Sequence, residues 1–151
     1  MEAEEIYVEM GEMTKAHSPD ILWTGGLGPC IAIAVYDPVT KSGYLMHALL
    51  HTSLEPHIEQ IKNDYLDLSR LHVFVTGNSL SFYNEAEQRK FDFAERLYVE
   101  EVIAKSFNKR GTTIRWLPDH HCGELRLDLS TGKFKAGSEK LEDILDDDYE
   151  P

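Results

Sequence analysis

Residues 23–47 read W-T-G-G-L-G-P-C-I-A-I-A-V-Y-D-P-V-T-K-S-G-Y-L-M-H, and this stretch decides the fold. Its glycines permit backbone conformations closed to other residues, so we predict a tight turn immediately before Cys30. The small and β-branched run at 31–36 is typical of a buried strand. Asp-Pro and Ser-Gly pairs within 37–43 predict a turn, and residues 44–50 then predict the returning antiparallel strand.

The register of this hairpin decides whether a thiol and an imidazole meet. Side chains alternate across a sheet, so Cys30 and His47 share one face if either Cys30 or Ala32 lies opposite His47. A slip of one residue would place them on opposite faces. Both strands are apolar on both faces, which leaves the register open but indicates a sheet covered on both sides.

A cysteine near a histidine is the arrangement that a thiol nucleophile needs. The thiolate is the reactive form, and a nearby imidazole is expected to lower the pKa of Cys30 and later to return a proton to the leaving group. If Thr24 lies near His47, its hydroxyl or carbonyl would accept a hydrogen bond that fixes the His47 tautomer; a turn threonine is the alternative. An inert buried cysteine and a core histidine remain the alternative interpretation. The backbone N–H groups proposed to bind substrate or an oxyanion belong to Gly26, Leu27 and Gly28.

The same stretch resembles the signature of the chemoreceptor glutamine deamidase (CheD) family, which reads roughly T-x-G-L-G-S-C-V-A-V, then D-P, then G-x-x-H. Thr24, Cys30 and His47 stand where that family carries its catalytic Thr, Cys and His. Residues 8–12, V-E-M-G-E, resemble the family's opening strand. A D…R…T-G pattern within 119–132 resembles its closing stretch.

This resemblance implies a fold and an activity. The elements predicted from the sequence give an α+β fold, a mainly antiparallel sheet with two principal helices, and the resemblance implies the family's three-layer sandwich. Cys30 would attack the carboxamide carbon of a protein glutamine, His47 would give a proton to the departing ammonia, and Thr24 would orient His47. The substrate would be a helical chemoreceptor, bound in a shallow groove without cofactor or metal. A CheC-like chemotaxis phosphatase is the partner that the resemblance adds.

Several residues depart from the family's pattern. Pro29 replaces the usual Ser before the cysteine, and His51 replaces a Pro. Residues 76–78, T-G-N, replace a Gly-Gly-Ala, and His121-Cys122 replaces a Gly-Gly pair. These changes fall in loops near the expected site. These departures therefore leave a second hypothesis open, in which the protein is a catalytically weak module that binds a phosphatase-type partner. A third and weaker hypothesis is a hydrolase of small amides or esters.

The run His120-His121-Cys122 raises the question of a metal site. A structural zinc wants about four ligands in suitable geometry, and adjacent residues rarely share one ion. We therefore predict a polar loop near the pocket, where His121 is within reach of substrate, and no metal.

Composition narrows the function further. The chain has 151 residues, enough for one domain with a sizeable core, and a formal net charge of -12. That charge argues against nucleic acid or an anionic membrane as a partner. No signal peptide and no apolar run long enough to span a bilayer are recognised, so two cysteines indicate free thiols in a reducing cytoplasm.

Periodicity predicts the remaining elements and a domain boundary. The deamidase-like domain is expected over 1–137 and an acidic tail over 138–151. The long second helix is expected to be capped by Asn84, with an apolar stripe through Phe91, Ala94, Tyr98 and Val102 and the nearby Leu97 and Ile103. Strands are predicted at 4–10, 71–75, 112–117, 124–129 and 133–136, a polar loop at 15–20, and helices from about 55 and over 84–108.

Overall fold

A computed structural model describes residues 2–80 and 86–141, and these contain nine strands and two α-helices. The α+β class is therefore confirmed. The strands are β1 (Glu5–Tyr7), β2 (Met13–His17), β3 (Ile21–Leu27), β4 (Ile31–Asp37), β5 (Ser42–Ala48), β6 (His72–Gly77), β7 (Thr112–Trp116), β8 (His121–Asp128) and β9 (Lys133–Lys140). The helices are α1 (Glu55–Asp64) and α2 (Ala86–Ser106), with short 3-10 turns at Leu68–Arg70 and Lys109–Gly111.

The strands form two sheets where a single one was expected. A four-stranded sheet has the order β1-β3-β8-β9, and a five-stranded sheet has the order β2-β5-β4-β6-β7. The β1–β3 and β6–β7 pairs are parallel and the others are antiparallel. With the helices on the outer face of the five-stranded sheet, the result is three layers.

Alternate residues of the central strand β4 enter two different cores. The helix-side core lies between the five-stranded sheet and the helices, and the inter-sheet core lies between the two sheets. The helix-side core includes Ile31, Ile33, Val35, Met46, Ile58, Ile61, Val99 and Ile103. The inter-sheet core includes Cys30, Ala32, Ala34, Leu22, Leu27, Leu45, Leu125, Leu127 and Leu129. Burial on both faces explains why the strand is apolar throughout.

One end of the five-stranded sheet, which we call the site end, gathers five chain segments. There the start of β4 lies beside the end of β5, through the pair Ile31↔Ala48, and beside the end of β6, through Ile31↔Gly77. The start of β2 and the end of β7 complete the row, through Met13↔Met46 and Gly77↔Trp116. Cys30 immediately precedes β4, so it sits in the middle of this end.

The structure corrects several predicted strands. Residues 15–17 of the polar loop predicted at 15–20 belong to β2, whose only buried residue is Ala16, so alternation is too weak to reveal the strand. The predicted glycine turn lies mostly within β3, which carries a one-residue bulge between Thr24 and Leu27. Strand β8 begins at His121, inside the predicted loop. Strand β9 continues to Lys140, past the predicted boundary at 137, and residues 142–151 of the predicted tail lie outside the described residues.

The helices show one agreement and one correction. Helix α1 begins at Glu55 with proline in its first turn, as expected. The predicted stripe of α2 is correct in the second half of the helix, where Ile103 is buried and Tyr98 and Val102 pack against the helix-side core. It is wrong in the first half, where Phe91 is 61% exposed while Asp92 and Glu95 are buried. The predicted cap, Asn84, lies outside the described residues.

Candidate active site

Cys30 is held in place by the chain that follows β6. Its carbonyl accepts a hydrogen bond from the Asn78 amide at 2.9 Å, and the Gly28 carbonyl accepts one from the Ser79 amide at 2.8 Å. Gly77 has a φ of +116°, and a Cβ there would lie 2.2 Å from the Cys30 carbonyl oxygen. Only glycine permits this approach, so Gly77 fixes the backbone directly behind the thiol.

His47 lies in β5 directly opposite Ala32. This is one of the two registers in which the thiol and the imidazole share a face of the sheet. Cys30 packs with Ala32 in the inter-sheet core, and His47 is only 2% exposed. Both functional groups therefore lie between the two sheets, at the site end of the five-stranded sheet.

Thr24 reaches His47 from the opposite sheet. Its Oγ1 lies 2.7 Å from His47 Nδ1 and donates a hydrogen bond to the Val8 carbonyl at 2.7 Å. A threonine hydroxyl has one proton, so once that proton is given to Val8, the hydroxyl accepts from Nδ1–H. The neutral imidazole then carries its free lone pair on Nε2. Among the described residues, Cys30 included, Nε2 is buried without a hydrogen-bond partner.

Burial sets the charge states of the two groups. Desolvation raises the pKa of the Cys30 thiol above its ordinary value, and the nearby Cys122 adds to this effect. Desolvation lowers the pKa of His47. Both effects favour a neutral thiol beside a neutral imidazole. The lowered thiol pKa expected from the sequence is therefore wrong for this state of the protein.

The three residues proposed to bind an oxyanion occupy different environments. Gly26 is exposed at the β3 bulge, with a φ of +67°. Leu27 is fully buried in the inter-sheet core, backbone included, and pairs with Gly123 of β8. The Gly28 amide donates to the Gly26 carbonyl at 3.1 Å and would have to exchange that bond to hold an oxyanion.

A groove of about 430 Å³ lies over the β3 bulge, apart from the thiol. Neither Cys30 nor His47 nor Thr24 lines it. Its walls are formed by Gly25, Gly26, Cys122, Gly123, Glu124, Gly137, Ser138 and Glu139. The groove therefore borders the glycine segment that leads to Cys30 and does not contain the nucleophile itself.

Sequence reasoning missed Arg96, which stabilises the segment after β6 that contacts Cys30. Arg96 donates through Nε to Asn78 Oδ1 at 2.9 Å, and through a second nitrogen to the Asn78 carbonyl. Burial lowers the pKa of Arg96. The one signal in the sequence is the Gly77-Asn78 pair, which is common in turns with left-handed residues. Asn78 indeed has a φ of +52°.

The residues that depart from the family pattern lie around the same end of the sheet. The His121 amide donates to Ser79 Oγ at 3.2 Å, and its Nδ1 lies 2.8 Å from Ser138 Oγ. His121 and Cys122 are consecutive in β8, so their side chains point to opposite faces. His51 has a φ of +64°, and its Nδ1 lies 3.4 Å from Glu95 Oε2. Both cysteines are free.

No helix of the described ranges is long and apolar enough to cross a bilayer. Among those residues, no group of three or more His, Cys, Asp or Glu side chains is arranged to hold a metal ion.

Comparisons with known proteins give a consistent set of relatives. No protein-family model matches the chain. A protein of Pyrococcus abyssi named "Probable chemoreceptor glutamine deamidase CheD" is 48% identical, over 87% of this chain and 90% of its own length. A protein of the same name from Thermococcus kodakarensis is 28% identical over 87% of this chain and 91% of its own length. Another from Syntrophomonas wolfei is 31% identical over 60% of this chain and 66% of its own.

Proposed function

The chain belongs to the chemoreceptor glutamine deamidase (CheD) family, and from this premise we propose that it is a cysteine-dependent protein-glutamine deamidase. It converts the glutamine side chain to glutamate and releases ammonia. The substrate is a chemoreceptor-type helix. The reaction takes place in a reducing cytoplasm, where both cysteines remain free thiols. The catalytic residues are Cys30, His47 and Thr24.

The observation that carries this proposal is the hydrogen-bonded series from His47 through Thr24 to Val8. Its two links, each 2.7 Å, leave the lone pair on the His47 nitrogen that faces no other partner among the described residues. An imidazole fixed in this tautomer is prepared to accept a proton. In a histidine with a purely structural role, both ring nitrogens are expected to have hydrogen-bond partners, because an unpaired buried polar atom destabilises the fold.

The chemistry follows from the neutral resting state. As Cys30 Sγ attacks the carboxamide carbon, its proton passes to His47 Nε2, and the carbonyl oxygen becomes an oxyanion. When the C–N bond breaks, His47 returns that proton and ammonia leaves. A water molecule then loses a proton to His47 and attacks the thioester. Glutamate departs, and the thiol of Cys30 is restored by the same proton.

A role as a binding module is the second candidate. Cys30 is only 7% exposed and burial raises the pKa of its thiol. Both properties fit an inert core cysteine as well as they fit a nucleophile in its neutral resting state. In that case the fold serves a CheC-like phosphatase and catalysis is weak.

Mass spectrometry of a glutamine-containing chemoreceptor helix tests the proposal. Each glutamine converted adds about 1 Da through the acyl-thioester route. We expect the shift with the wild type and with Cys122→Ala, the matched thiol control, and none with Cys30→Ala or His47→Ala. A helix left unchanged by the wild type, with Cys30→Ala retaining affinity for a CheC-like protein, would favour the binding module.

A further inference from the structure

Two buried side-chain nitrogens in the described part of the chain have no hydrogen-bond partner, and both belong to segments beside Cys30. They are His47 Nε2 and Asn78 Nδ2. The first is an acceptor in the tautomer that Thr24 fixes, whereas an amide nitrogen is a donor. Unpaired buried polar atoms are rare in folded proteins, and each one needs an explanation. The proposed reaction uses His47 Nε2 and leaves Asn78 Nδ2 without a role.

Asn78 lies directly opposite Cys30. Strand β4 pairs with β6 through Ile31↔Gly77, so the next pair in the same register is Cys30 with Asn78. The hydrogen bond from the Asn78 amide to the Cys30 carbonyl, 2.9 Å long, confirms this pairing. Residues directly opposite each other in an antiparallel pair have Cβ atoms about 4.5–5.5 Å apart. The side chain of Asn78 is therefore within reach of a carbonyl group that is bonded to Cys30 Sγ.

Arg96 decides which way the amide group of Asn78 faces. Its Nε donates to Asn78 Oδ1 at 2.9 Å, and a second guanidinium nitrogen donates to the Asn78 carbonyl. A guanidinium has donors only, so the side-chain atom that it contacts must be the amide oxygen. Arg96 is itself held over the ring of Trp116, 5.4 Å from the ring centroid. The amide is therefore fixed with its Nδ2 end turned away from Arg96.

The backbone donors predicted for the oxyanion leave this role open. Gly26 is exposed, Leu27 is buried within β3, and the Gly28 amide already donates to the Gly26 carbonyl at 3.1 Å. An oxyanion is stabilised most by a donor that is preorganised and shielded from water. Asn78 is fully buried, and its Nδ2 has no partner to exchange among the described residues.

We propose that Asn78 is a further catalytic residue, whose Nδ2 donates a hydrogen bond to the carbonyl oxygen of the substrate carboxamide, and that Arg96 is the positioning residue that orients it. This rests on the proposed function. As Cys30 Sγ bonds to the carboxamide carbon, its proton passes to His47 Nε2 and the C=O π electrons move to the oxygen. Nδ2 then stabilises that oxygen. When the C=O bond re-forms, the C–N bond breaks, and ammonia leaves with the proton from His47.

Two substitutions in the full chain remove the donor in different ways. Asn78→Gly deletes the side chain and tolerates the φ of +52°, while Asn78→Asp keeps an oxygen for Arg96 and replaces the donor with a carboxylate. Each should lower kcat for a glutamine-containing helical peptide by about 10²–10³-fold, as expected for the loss of one oxyanion donor, with KM nearly unchanged. Asn63→Ala, at an exposed asparagine of α1, is the matched control and should keep the wild-type kcat. Wild-type kcat in either Asn78 variant would overturn the proposal.

Alkylation by iodoacetamide separates a catalytic role of Asn78 from a structural one. In that reaction the sulfur of Cys30 displaces iodide from a saturated carbon, so no oxyanion forms. In a Cys122→Ala background, Asn78→Gly should therefore leave the alkylation rate unchanged while kcat falls. A parallel loss of both rates would show that Asn78 only holds Cys30 in place, and would overturn its catalytic role.

Arg96→Met tests the positioning role. The amide of Asn78 is then free to rotate, so kcat should fall, but by less than in Asn78→Gly. The double variant should be no slower than Asn78→Gly alone, because both substitutions act through one amide group. Arg115→Met removes a guanidinium that lies 5.8 Å from the ring of Phe74, and this matched control should keep kcat. Losses that multiply in the double variant would overturn the role of Arg96.

A peptide aldehyde distinguishes failure of this inference from failure of the proposed function. The probe is the same helical peptide with an aldehyde in place of the carboxamide. The sulfur of Cys30 bonds to its carbonyl carbon, and the thiol proton ends on the oxygen that Nδ2 would contact. Asn78→Gly should weaken this adduct about tenfold or more, because the adduct resembles the tetrahedral intermediate.

The two measurements together give distinct outcomes. Deamidation by the wild type, with kcat and adduct stability both indifferent to Asn78, overturns this inference and keeps the deamidase. An adduct that depends on Asn78, without any deamidation, keeps Asn78 as the donor to a carbonyl at Cys30 and overturns the deamidase. Absence of both deamidation and adduct overturns both.

Discussion

The two cores on either side of the five-stranded sheet are built from the same strands and differ in the size of the side chains that β4 supplies. On the helix side, β4 contributes Ile31, Ile33 and Val35. On the inter-sheet side it contributes Ala32 and Ala34 at the end nearest Cys30, and Tyr36 at the far end. The two cores therefore differ in side-chain size near the candidate site. Small side chains leave room for polar groups, and this is where Thr24 and His47 meet across two sheets.

This difference separates stability from chemistry within one strand. Branched side chains packed on helices bury much apolar surface and favour one arrangement. In the inter-sheet core, part of that apolar packing is replaced by His47, whose Nε2 is buried without a hydrogen-bond partner among the described residues. An unpaired buried nitrogen lowers the stability of the fold, so its presence is best explained by a role in function. The comparison therefore predicts that substitutions in the two cores affect different measurements.

The largest effect is expected in the inter-sheet core, at the nucleophile. Cys30→Ala should lower kcat for deamidation by on the order of 10³-fold or more, because no other described side chain replaces the thiol in the acyl route. The urea midpoint should change little. Discontinuous assays of ammonia release, paired with urea titrations, check both quantities. Residual activity within tenfold of wild type would rule out a Cys30 nucleophile.

The opposite result is expected on the helix side. Ile103, 1% exposed, packs in the helix-side core, and Ile103→Ala should lower the free energy of unfolding by about 2–5 kcal/mol. The folded fraction should keep its kcat, since the cavity lies on the other face of the sheet from His47. Urea unfolding followed by fluorescence gives the first quantity. A loss of kcat as large as the Thr24 effect below would show that the two cores are coupled.

Thr24→Val sharpens the comparison by making the inter-sheet core apolar. The isosteric side chain removes the acceptor of His47 Nδ1–H and the donor to Val8, so we expect about 1–3 kcal/mol of destabilisation. We also expect kcat to fall by about 10²-fold as the tautomer is no longer fixed. Thr24→Ser restores the hydroxyl and should recover most of kcat. Failure of serine to rescue would point to packing of the methyl group.

The smallest effect is a pH dependence of stability. Burial lowers the pKa of His47 in the folded state below its ordinary value of about 6.5. Below that pH the unfolded chain binds more protons at this residue than the folded chain does. Stability that is fully present above pH 6.5 is thus lost as the pH falls toward the folded pKa.

Comparison with His47→Gln isolates this contribution, because the other histidines are common to both proteins. The difference in unfolding free energy between wild type and variant should shrink or reverse between pH 7 and pH 5. A constant difference across that range would contradict a buried neutral His47.

The sequence predicts the centre of this fold better than its edges. The hairpin of β4 and β5 is continuous, apolar and bounded by strong turn signals, so its position could be predicted within one or two residues. Its register could not, because both faces are apolar and neither face distinguishes Ala32 from Ile31 as the partner of His47. The turn, which the Lys41 amide closes on the Asp37 carbonyl at 2.9 Å, and pairing with the flanking strands select it.

Other features depend on partners that are remote in sequence. Helix α2 hides Asp92 and Glu95, and Glu95 is buried next to His51, which is 44 residues away. Hydrophobic periodicity alone therefore places the first half of the helix in the wrong phase. The three proposed catalytic positions came from a motif, whereas the raised pKa of Cys30 is a consequence of burial that no motif reveals.

The hydrogen bond from Thr24 to the Val8 carbonyl makes the first few residues of the chain part of the candidate active site. Strand β1 is three residues long, pairs only with β3 among the described strands, and leads directly into the buried Val8. A protease cut near Glu9 would therefore disturb the Thr24 hydrogen bond together with the inter-sheet core, to which Val8 belongs. A loss of kcat should then be accompanied by a lower melting temperature.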